Sequence, residues 1–241
     1  MARLDEMQRR TEERLARQQE RVTERFEQAR ERLRQHVGDE PSDTQQRIIQ
    51  AALELLNEEG LNNLSLRKLA SRLDMQAPAL YWHFKSKEVL IDYMAEAILR
   101  KEFADLTPRQ DDEPWQEWLV ATCTRLRNAM RAYRDGARVV AGAHLFPAVT
   151  LMYLFEISME SLVSSGLESR KANLIMSTAV HFVFGRVIEE QSSPSPEQIE
   201  NFMHSDMLKR FPNMGQSIDE AMEDFKNGYD EFEDALRLII R

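Results

Sequence analysis

The sequence predicts an all-α protein, and three observations lead to that prediction. Glycine and proline are scarce, at eight residues each in 241, whereas Leu, Ala, Glu and Arg are abundant, a composition typical of helical chains. Apolar residues recur every three to four positions in one segment after another, which is the period of a helix with one buried face. No segment shows the alternation of apolar and polar residues that a half-buried strand requires.

The first 40 residues are predicted to form an additional N-terminal helix, because residues 3–37 repeat every eleven positions. The repeated positions are Leu4, Leu15, Phe26 and Val37, then Thr11, Val22 and Leu33, then Met7, Gln18 and Ala29. Eleven residues in three turns predict a nearly straight helix, about 50 Å long at ~1.5 Å per residue. Arg and Glu fill most of the other positions, and Gly38 and Pro41 end the helix.

Three interpretations of this repeat stay open. It associates with a second copy or docks on the partner subunit as a coiled coil, or it lies as a solvated charged helix on its own protein. The third interpretation is an arm that touches DNA. Residues 1–40 carry ten arginines and ten acidic residues, and such a balanced charge gives little attraction to phosphate.

The second domain, residues 44–99, begins with a predicted helix over 44–59. Ser42 and Gln45 have the spacing of a capping box at its start, and Gly60 ends it. The residues expected to face inward are Ile48, Ile49, Ala52, Leu53, Leu55 and Leu56. This helix would support the two short helices that follow.

Residues 65–87 have the pattern of a helix-turn-helix. The first short helix buries Leu66, Leu69, Ala70 and Leu73, at the spacing of one helical face. Asp74 suits a left-handed turn, and Pro78 marks the start of the second helix. Such a second helix enters the major groove of DNA. Of its aromatic residues, we expect Trp82 and Phe84 to be buried with Leu80, and Tyr81 and His83 to face outward.

A helix over residues 86–103, capped by Ser86, leads into the third domain, residues 100–241. The polar loop Thr107–Pro114 marks the boundary. Further helices are predicted at about 115–133, 147–164, 168–190, 198–209 and 217–240. Ser217 and Glu220 have capping-box spacing at the start of the last one. This domain is predicted to be a helical bundle.

Composition excludes several classes of protein. The net charge is −9, which argues against a general coating of nucleic acid. The chain has neither a run of 18 apolar residues nor an apolar N-terminal signal segment, so we expect a cytoplasmic, nucleoid-associated protein. The single cysteine, Cys123, excludes an internal disulfide and is expected to be a packed apolar residue. No catalytic motif is present, so we expect neither an enzyme nor a cofactor.

Several stretches of sequence resemble the tetracycline repressor (TetR) family. Ala-Leu-Glu-Leu-Leu-Asn-Glu-Glu-Gly at 52–60, Arg-Lys-Leu-Ala at 67–70 and Leu-Tyr-Trp-His at 80–83 are similar to its DNA-binding domain. Arg-Asp-Gly-Ala-Arg-Val at 134–139 and His-Phe-Val-Phe-Gly-Arg-Val-Ile-Glu at 181–189 are similar to the body of its tetracycline-binding members. The resemblance covers residues 45–241. It implies a homodimer that binds a palindromic operator of double-stranded DNA and responds to a small-molecule effector.

The resemblance also implies which residues contact DNA. The matching positions are Arg67, Ala77, Pro78, Ala79, Tyr81, His83 and Lys87. Arg67 matches an arginine that reads a guanine edge, for which a guanidinium is suited. Lys87 matches a phosphate contact at a helix start. Because Ala77 replaces a base-reading glutamine and Leu66 replaces a threonine, we expect a different operator sequence.

Effector contacts are implied in the same way. The candidate positions, which include two further histidines, are Phe103, Thr122, Leu126, Val140, Ala143, His144, Ser158, His181 and Glu189. Val140 and Ala143 stand where the family places its magnesium-side residues, and neither offers an oxygen ligand. Only Glu189 keeps the family residue. We therefore expect no metal site and a hydrophobic effector other than magnesium–tetracycline. The alternative for His181 is a hydrogen-bonded core residue.

The dimer interface implied by the resemblance involves the last two long helices. The residues expected there are Val180, Val183, Phe184, Val187 and Ile188, with Phe225, Tyr229, Phe232, Leu236 and Ile239. The alternative is that they pack within their own subunit. The sequence thus predicts a ligand-responsive, homodimeric repressor. The alternative function is a helical self-assembly protein whose DNA-binding domain is vestigial.

Overall fold

The computed structural model describes residues 41–144, 148–192, 196–203 and 210–241, together with Arg9. All regular structure within these ranges is helical, so the all-α prediction is confirmed. The eleven-residue repeat and its coiled-coil interpretation lie outside the described residues, and they stay predictions.

The helices are, in chain order, α1 (Asp43–Glu59), α2 (Leu66–Arg72), α3 (Ala77–His83), α4 (Lys87–Glu102), α5 (Trp115–Arg131), α6 (Gly136–Ala141), α7 (Val149–Ser164), α8 (Ser169–Gln191), α9 (Pro196–Met203), α10 (Pro212–Lys226) and α11 (Phe232–Ile239). We call α1–α3 the head and α5–α11 the body. The helix α4 connects them, since it packs against α1 on the head and against α5, α6 and α7 in the body.

The head is organised by α1, which begins and ends as its sequence predicts. The Ser42 hydroxyl accepts a hydrogen bond from the Gln45 amide at 3.3 Å, and the Gln45 side chain accepts one from the Ser42 amide at 3.0 Å. This pair is the predicted capping box. Gly60 ends the helix with φ 80°. All six residues predicted to face inward are buried.

The body is built around α5, which packs against α4, α6, α7, α8 and α11. Its buried residues include Cys123, and burial raises the pKa of that thiol to about 12, so the group stays protonated and packs as an apolar residue, as predicted. One continuous hydrophobic core runs from Ile48 in the head to Ile240 at the end of the body.

The C-terminal segment differs from its prediction. The expected helix over 217–240 is two helices, because the chain turns at Gly228, which has φ 73°. There the Tyr229 amide donates to the Asp224 carbonyl at 2.9 Å, a bond that closes the end of α10. The predicted capping box of Ser217 and Glu220 is wrong, since α10 already begins at Pro212 and Ser217 lies inside it.

None of the helices in the described ranges combines the length and the apolar character needed to cross a membrane.

Candidate functional site

The helix-turn-helix of the head has the predicted local structure. The Ser65 hydroxyl accepts a hydrogen bond from the Lys68 amide at 3.3 Å and so caps α2. Asp74 adopts the left-handed conformation, with φ 51°, and the Met75 amide then donates to the Ala70 carbonyl at 2.9 Å. Pro78 lies in the first turn of α3. The turn thereby orients α3 against α2 so that one side of α3 stays exposed to solvent.

The outward side of α3 is more aromatic than the sequence predicted. Leu80 and Phe84 are fully buried, as expected, whereas Tyr81 is 47% exposed and Trp82 is 83% exposed. The prediction that Trp82 belongs to the core is therefore wrong. At about 100° per residue, Trp82 lies roughly 200° around the helix from Leu80. The angular position of Trp82 relative to Leu80 is therefore the sequence feature that predicts its exposure.

The other predicted DNA-contact residues of α3 lie on or beside this outward side. Pro78 and Ala79 are exposed, and Ala77 and His83 are half-buried. The rings of Trp82 and His83 meet edge to face, with centroids 5.3 Å apart. Pro78 and Trp82, one helical turn apart, are at the middle of the outward side. We call Pro78, Ala79, Tyr81 and Trp82 the outward face of α3.

Basic residues of α2 divide into two groups. Arg67 is exposed and has no hydrogen bond or ion pair within the described part of the chain. Lys68 pairs with Glu59, and Arg72 pairs with Glu58 at 2.6 Å and with Glu54 at 3.4 Å. The hydrogen bond from Arg72 holds the pKa of Glu58 below its usual range. The glutamates of α1 thus neutralise two cations of the head and leave Arg67 available.

Lys87 lies at the first turn of α4, as predicted, but its side chain also has a partner inside the protein. Its Nζ donates to the Leu61 carbonyl at 2.9 Å. The Ser86 hydroxyl caps the same helix by accepting from the Val89 amide at 3.3 Å. An ammonium group carries three donors, so two remain for an anion at this helix start.

A short segment between α5 and α6 holds the head against the body. The Arg134 amide donates to the Asn57 side chain at 2.9 Å, and its guanidinium donates to the Glu58 carbonyl at 2.9 Å. The Asp135 carboxylate accepts from the Leu61 amide at 2.8 Å. We call residues 130–138 the joint. Its partners in the head all lie at the end of α1 or just after it.

The helix α4 is tied to the body by two carboxylates. The buried Asp92 accepts hydrogen bonds from the His144 amide at 2.8 Å and contacts its ring Nδ1 at 3.2 Å. Glu96 accepts from the Thr150 amide at 2.8 Å and from the Thr150 hydroxyl at 2.9 Å. Glu96 therefore caps the start of α7 from a neighbouring helix. The His144 side chain projects to the surface, and its contact with an effector stays a prediction.

The structure brings only part of the predicted effector set into the interior. Its buried members are Phe103, Thr122, Leu126, Val140 and Ser158. Ala143 is half-buried, but His181 and Glu189 are exposed on α8, so His181 is neither a core histidine nor a residue of the interior. Within the described ranges, no group of three or more His, Cys, Asp or Glu side chains is placed to hold a metal ion.

Ser161 is a further residue of the interior that was not predicted from sequence. It is buried, and within the described residues its hydroxyl has no hydrogen-bond partner. Ser161 lies one turn after Ser158 on α7, and Thr122 adds a third buried hydroxyl from α5. Apart from the ion-paired Arg127, the polar side chains buried in the described part of the body thus carry neutral hydroxyl groups.

Several residues predicted for a dimer interface are core residues of their own subunit. Val183, Val187, Phe232 and Leu236 are all buried, so the alternative interpretation is correct for these four. Val180, Phe184, Ile188 and Ile239 are half-buried and Tyr229 is exposed, while the Phe225 side chain is outside the described residues. Sequence periodicity alone did not separate the two groups.

Another side of α8 is exposed and carries uncharged or weakly basic residues, two of them small. Leu174, Thr178, His181 and Gly185 recur every three to four positions there. A Cβ added at Gly185 would meet no atom within 4 Å. We call these four residues the α8 stripe. Such a stripe allows a second helix to approach closely.

Comparison with known proteins gives a consistent result over most of the chain. Residues 107–241 match the family "Tetracyclin repressor-like, C-terminal domain", and residues 48–94 match "Bacterial regulatory proteins, tetR family". The chain is 41% identical to tetracycline repressor protein class A from transposon 1721 of Escherichia coli, over 61% of this chain and 67% of that protein.

Two solved structures extend the similarity. One is a single-residue variant of TetR from Acinetobacter baumannii AYE in complex with minocycline, with 33% identity, a TM-score of 0.62, and coverage of 81% of this chain and 90% of that one. The other is BioQ with its double-stranded DNA operator, with 30% identity, a TM-score of 0.55, and coverage of 61% of this chain and 84% of that one.

Proposed function

The chain belongs to the TetR family, whose members are transcriptional regulators and not enzymes, and from that premise we propose how it acts. It is a DNA- and ligand-binding repressor. We propose that it binds a palindromic operator as a homodimer and leaves that operator when a small hydrophobic effector, other than magnesium–tetracycline, enters the body. It would act in the cytoplasm, at the nucleoid.

The exposure of Trp82 is the observation that carries the DNA-binding part of the proposal. A large apolar side chain left in water forgoes about 2–3 kcal/mol of burial energy. Trp82 is 83% exposed, on the side of α3 opposite the buried Leu80. A partner that covers the outward face of α3 recovers this energy, and the major groove admits a helix of this size.

Few unpaired cationic side chains of the head are available to contact DNA, so each of them should contribute measurably to the affinity. Lys68 and Arg72 are paired with glutamates, and Arg67 is left to contact DNA. A bidentate contact from arginine to guanine contributes about 1–3 kcal/mol of discrimination. The operator would therefore be recognised through a few placed side chains, with a shallow dependence of affinity on salt.

A single reading helix binds too weakly to select one site in a genome. A two-fold dimer doubles the contacts and requires half-sites about one duplex turn apart. The α8 stripe and the exposed side of α10, which includes Met214, supply surfaces on which a second copy would pack. BioQ, which resembles this chain, was solved with a double-stranded operator.

The effector proposal follows from the interior of the body. Val140 is buried and, like the half-buried Ala143, offers no oxygen to a hard cation. The buried hydroxyls of Thr122, Ser158 and Ser161 provide polarity without charge. An apolar molecule with a few hydrogen-bonding groups fits such an environment best.

The signal would pass through α4. This helix starts at the head, where Lys87 holds Leu61, and it is tied to the body through Asp92 and Glu96. An effector that changes the packing of α7 against α4 would therefore change the orientation of the head. Effector and operator would each weaken the binding of the other, as linkage requires.

Gel shifts on the DNA upstream of its own gene test the DNA-binding proposal. Arg67→Ala should weaken specific binding about 5- to 150-fold, the equivalent of about 1–3 kcal/mol. Arg72→Ala is the matched control on the same helix, because Arg72 is paired with glutamates, and it should leave the affinity within about threefold. Equal effects of both variants would contradict this assignment. Full assembly of the protein without any specific DNA binding would favour the alternative, a self-assembly protein.

Thermal unfolding tests the effector proposal. Minocycline with Mg²⁺ should shift the melting temperature by less than about 1 °C, since a ligand that does not bind the folded state cannot stabilise it. Uncharged hydrophobic compounds in the same screen should produce larger shifts. A large shift that requires Mg²⁺ would show that Val140 and Ala143 do not exclude the metal-bound drug.

A further inference from the structure

Gln191, the last residue of α8, uses its side chain to hold another part of the chain. Its Nε2 donates to the Met130 carbonyl at 3.1 Å and to the Tyr133 carbonyl at 2.8 Å, and its Oε1 accepts from the Ala137 amide at 3.1 Å. The amide group has two donors and two acceptor positions, so three of the four are used. All three partners are main-chain groups of the joint.

These partners lie where one helix ends and the next begins. The Met130 carbonyl is in the last turn of α5, the Tyr133 carbonyl lies just after that helix, and the Ala137 amide lies in the first turn of α6. Between them the chain turns sharply at Asp135, which has φ 57°. A Cβ on the next residue, Gly136, would lie 2.1 Å from the Met130 carbonyl oxygen. Gln191 therefore holds together a tight connection that has no spare space.

The opposite side of the joint contacts the head. There the Arg134 amide is bonded to Asn57 and the Asp135 carboxylate to the Leu61 amide. The joint thus lies between the end of α8 and the end of α1. This path from body to head does not pass through α4, and α8 also carries the α8 stripe on which a second subunit would pack.

We infer that Gln191 is a positioning residue that fixes the orientation of the head relative to α8, and through it the separation of the two reading helices in the dimer. The inference rests on the proposed function. Glutamine suits this role because it donates and accepts at once. A glutamate of the same size has no donor and would place its charge against two carbonyl oxygens.

The first test measures the separation of the heads without DNA. Full-length protein carrying Ser71→Cys, an exposed position on α2, is spin-labelled, and the distance between the two labels of a dimer is measured by pulsed electron resonance. Cys123 is buried with a raised pKa, so it should not react. Gln191→Ala and Gln191→Glu should at least double the width of the distance distribution, whereas the control Gln50→Ala, which removes a surface hydrogen bond on α1, should leave it unchanged.

The second test uses operator DNA with one base pair inserted between the half-sites. The wild type should discriminate strongly between the native and lengthened operators. In both Gln191 variants the ratio of the two affinities should fall at least fivefold. A loss of stability alone would lower both affinities equally and keep the ratio.

The outcomes separate this inference from the proposed function. A distance distribution that stays narrow in both Gln191 variants overturns the inference. A wild-type protein that is monomeric, and so gives no distance between two labels, overturns it as well. An unchanged affinity ratio with a broadened distribution also overturns it, because the joint would then not set the operator spacing. If the wild type binds no operator, the proposed function fails, and the distance measurement alone still decides whether Gln191 fixes the heads.

Discussion

The head and the body place their polar and aromatic side chains in opposite ways. In the head, the residues proposed to contact DNA are exposed, as Arg67 and Trp82 are. In the body, several polar residues are buried and paired. Arg127 is the clearest case, since it contacts Glu190 at 2.7 Å and Asp230 at 2.5 Å, with its guanidinium 4.5 Å from the centre of the Phe232 ring. The residues proposed to contact DNA therefore differ from those that hold charges inside the body, and substitutions should reveal the two roles separately.

Removal of Glu190 should have the largest effect, and on stability alone. Glu190→Ala leaves the buried Arg127 with half of its compensation, so the free energy of unfolding should fall by about 3 kcal/mol. Urea unfolding followed by circular dichroism measures this. The exposed Glu156 offers the matched control Glu156→Ala, which should change the free energy by less than about 0.5 kcal/mol. Equal losses for the two variants would show that the Arg127 cluster is not a source of stability.

Removal of Trp82 should have the converse effect. Trp82→Ala should lower operator affinity about 30-fold, the equivalent of about 2 kcal/mol, while the unfolding free energy changes by less than about 0.5 kcal/mol. Fluorescence titration with operator DNA and urea unfolding measure the two quantities. Leu238→Ala removes another exposed apolar side chain far along the chain and should alter neither. A large loss of stability in Trp82→Ala would contradict the prediction that this side chain contributes to DNA binding and not to folding.

The substitution Asp230→Asn should have the smallest effect on the free energy of unfolding, and this effect should depend on pH. Partial burial is the largest single influence and raises its pKa, but the hydrogen bonds from Arg127 and from the Phe232 amide, together with the charges of Arg127 and Arg131, hold the pKa below the ordinary value of 3.8. The stabilisation is therefore complete above pH 3.8 and is lost as the pH falls through the lower folded-state pKa. Because the side chain is 49% exposed, solvent screens the pair, and Asp230→Asn should cost about 0.5–1 kcal/mol at pH 6.

Unfolding measured from pH 6 down to pH 3 checks this prediction. The difference between wild type and Asp230→Asn should shrink as the pH falls below 3.8. A difference that grows on acidification would mean that the carboxylate is not stabilised by Arg127.

The head was more predictable from sequence than the body, for a physical reason. Caps, a turn residue and a first-turn proline are local signals, and Ser42, Asp74 and Pro78 all do what their residue types indicate. Trp82 was assigned wrongly because its apolar character was given more weight than its helical phase. The residue itself was correctly placed on α3.

In the body, which apolar side chains are buried depends on which helices pack against each other. The sequence does not reveal that packing. The helix α8 carries apolar residues on more than one side, so its period did not show that Val183 packs inside its own subunit while Leu174 faces outward. Tertiary context likewise placed His181 on the surface. The break near Gly228 was missed because the apolar period continues across it to Phe232.

The pairing of Lys68 and Arg72 with the glutamates of α1 also bears on how a regulator finds its site. A chromosome offers on the order of a million or more competing non-specific sites. Unpaired surface cations strengthen binding to each of these sites through contacts with phosphate. With these two cations neutralised internally and a net charge of −9, non-specific encounters should be brief. The protein would then spend most of its time in transit between encounters, and it would dwell only where the bases match.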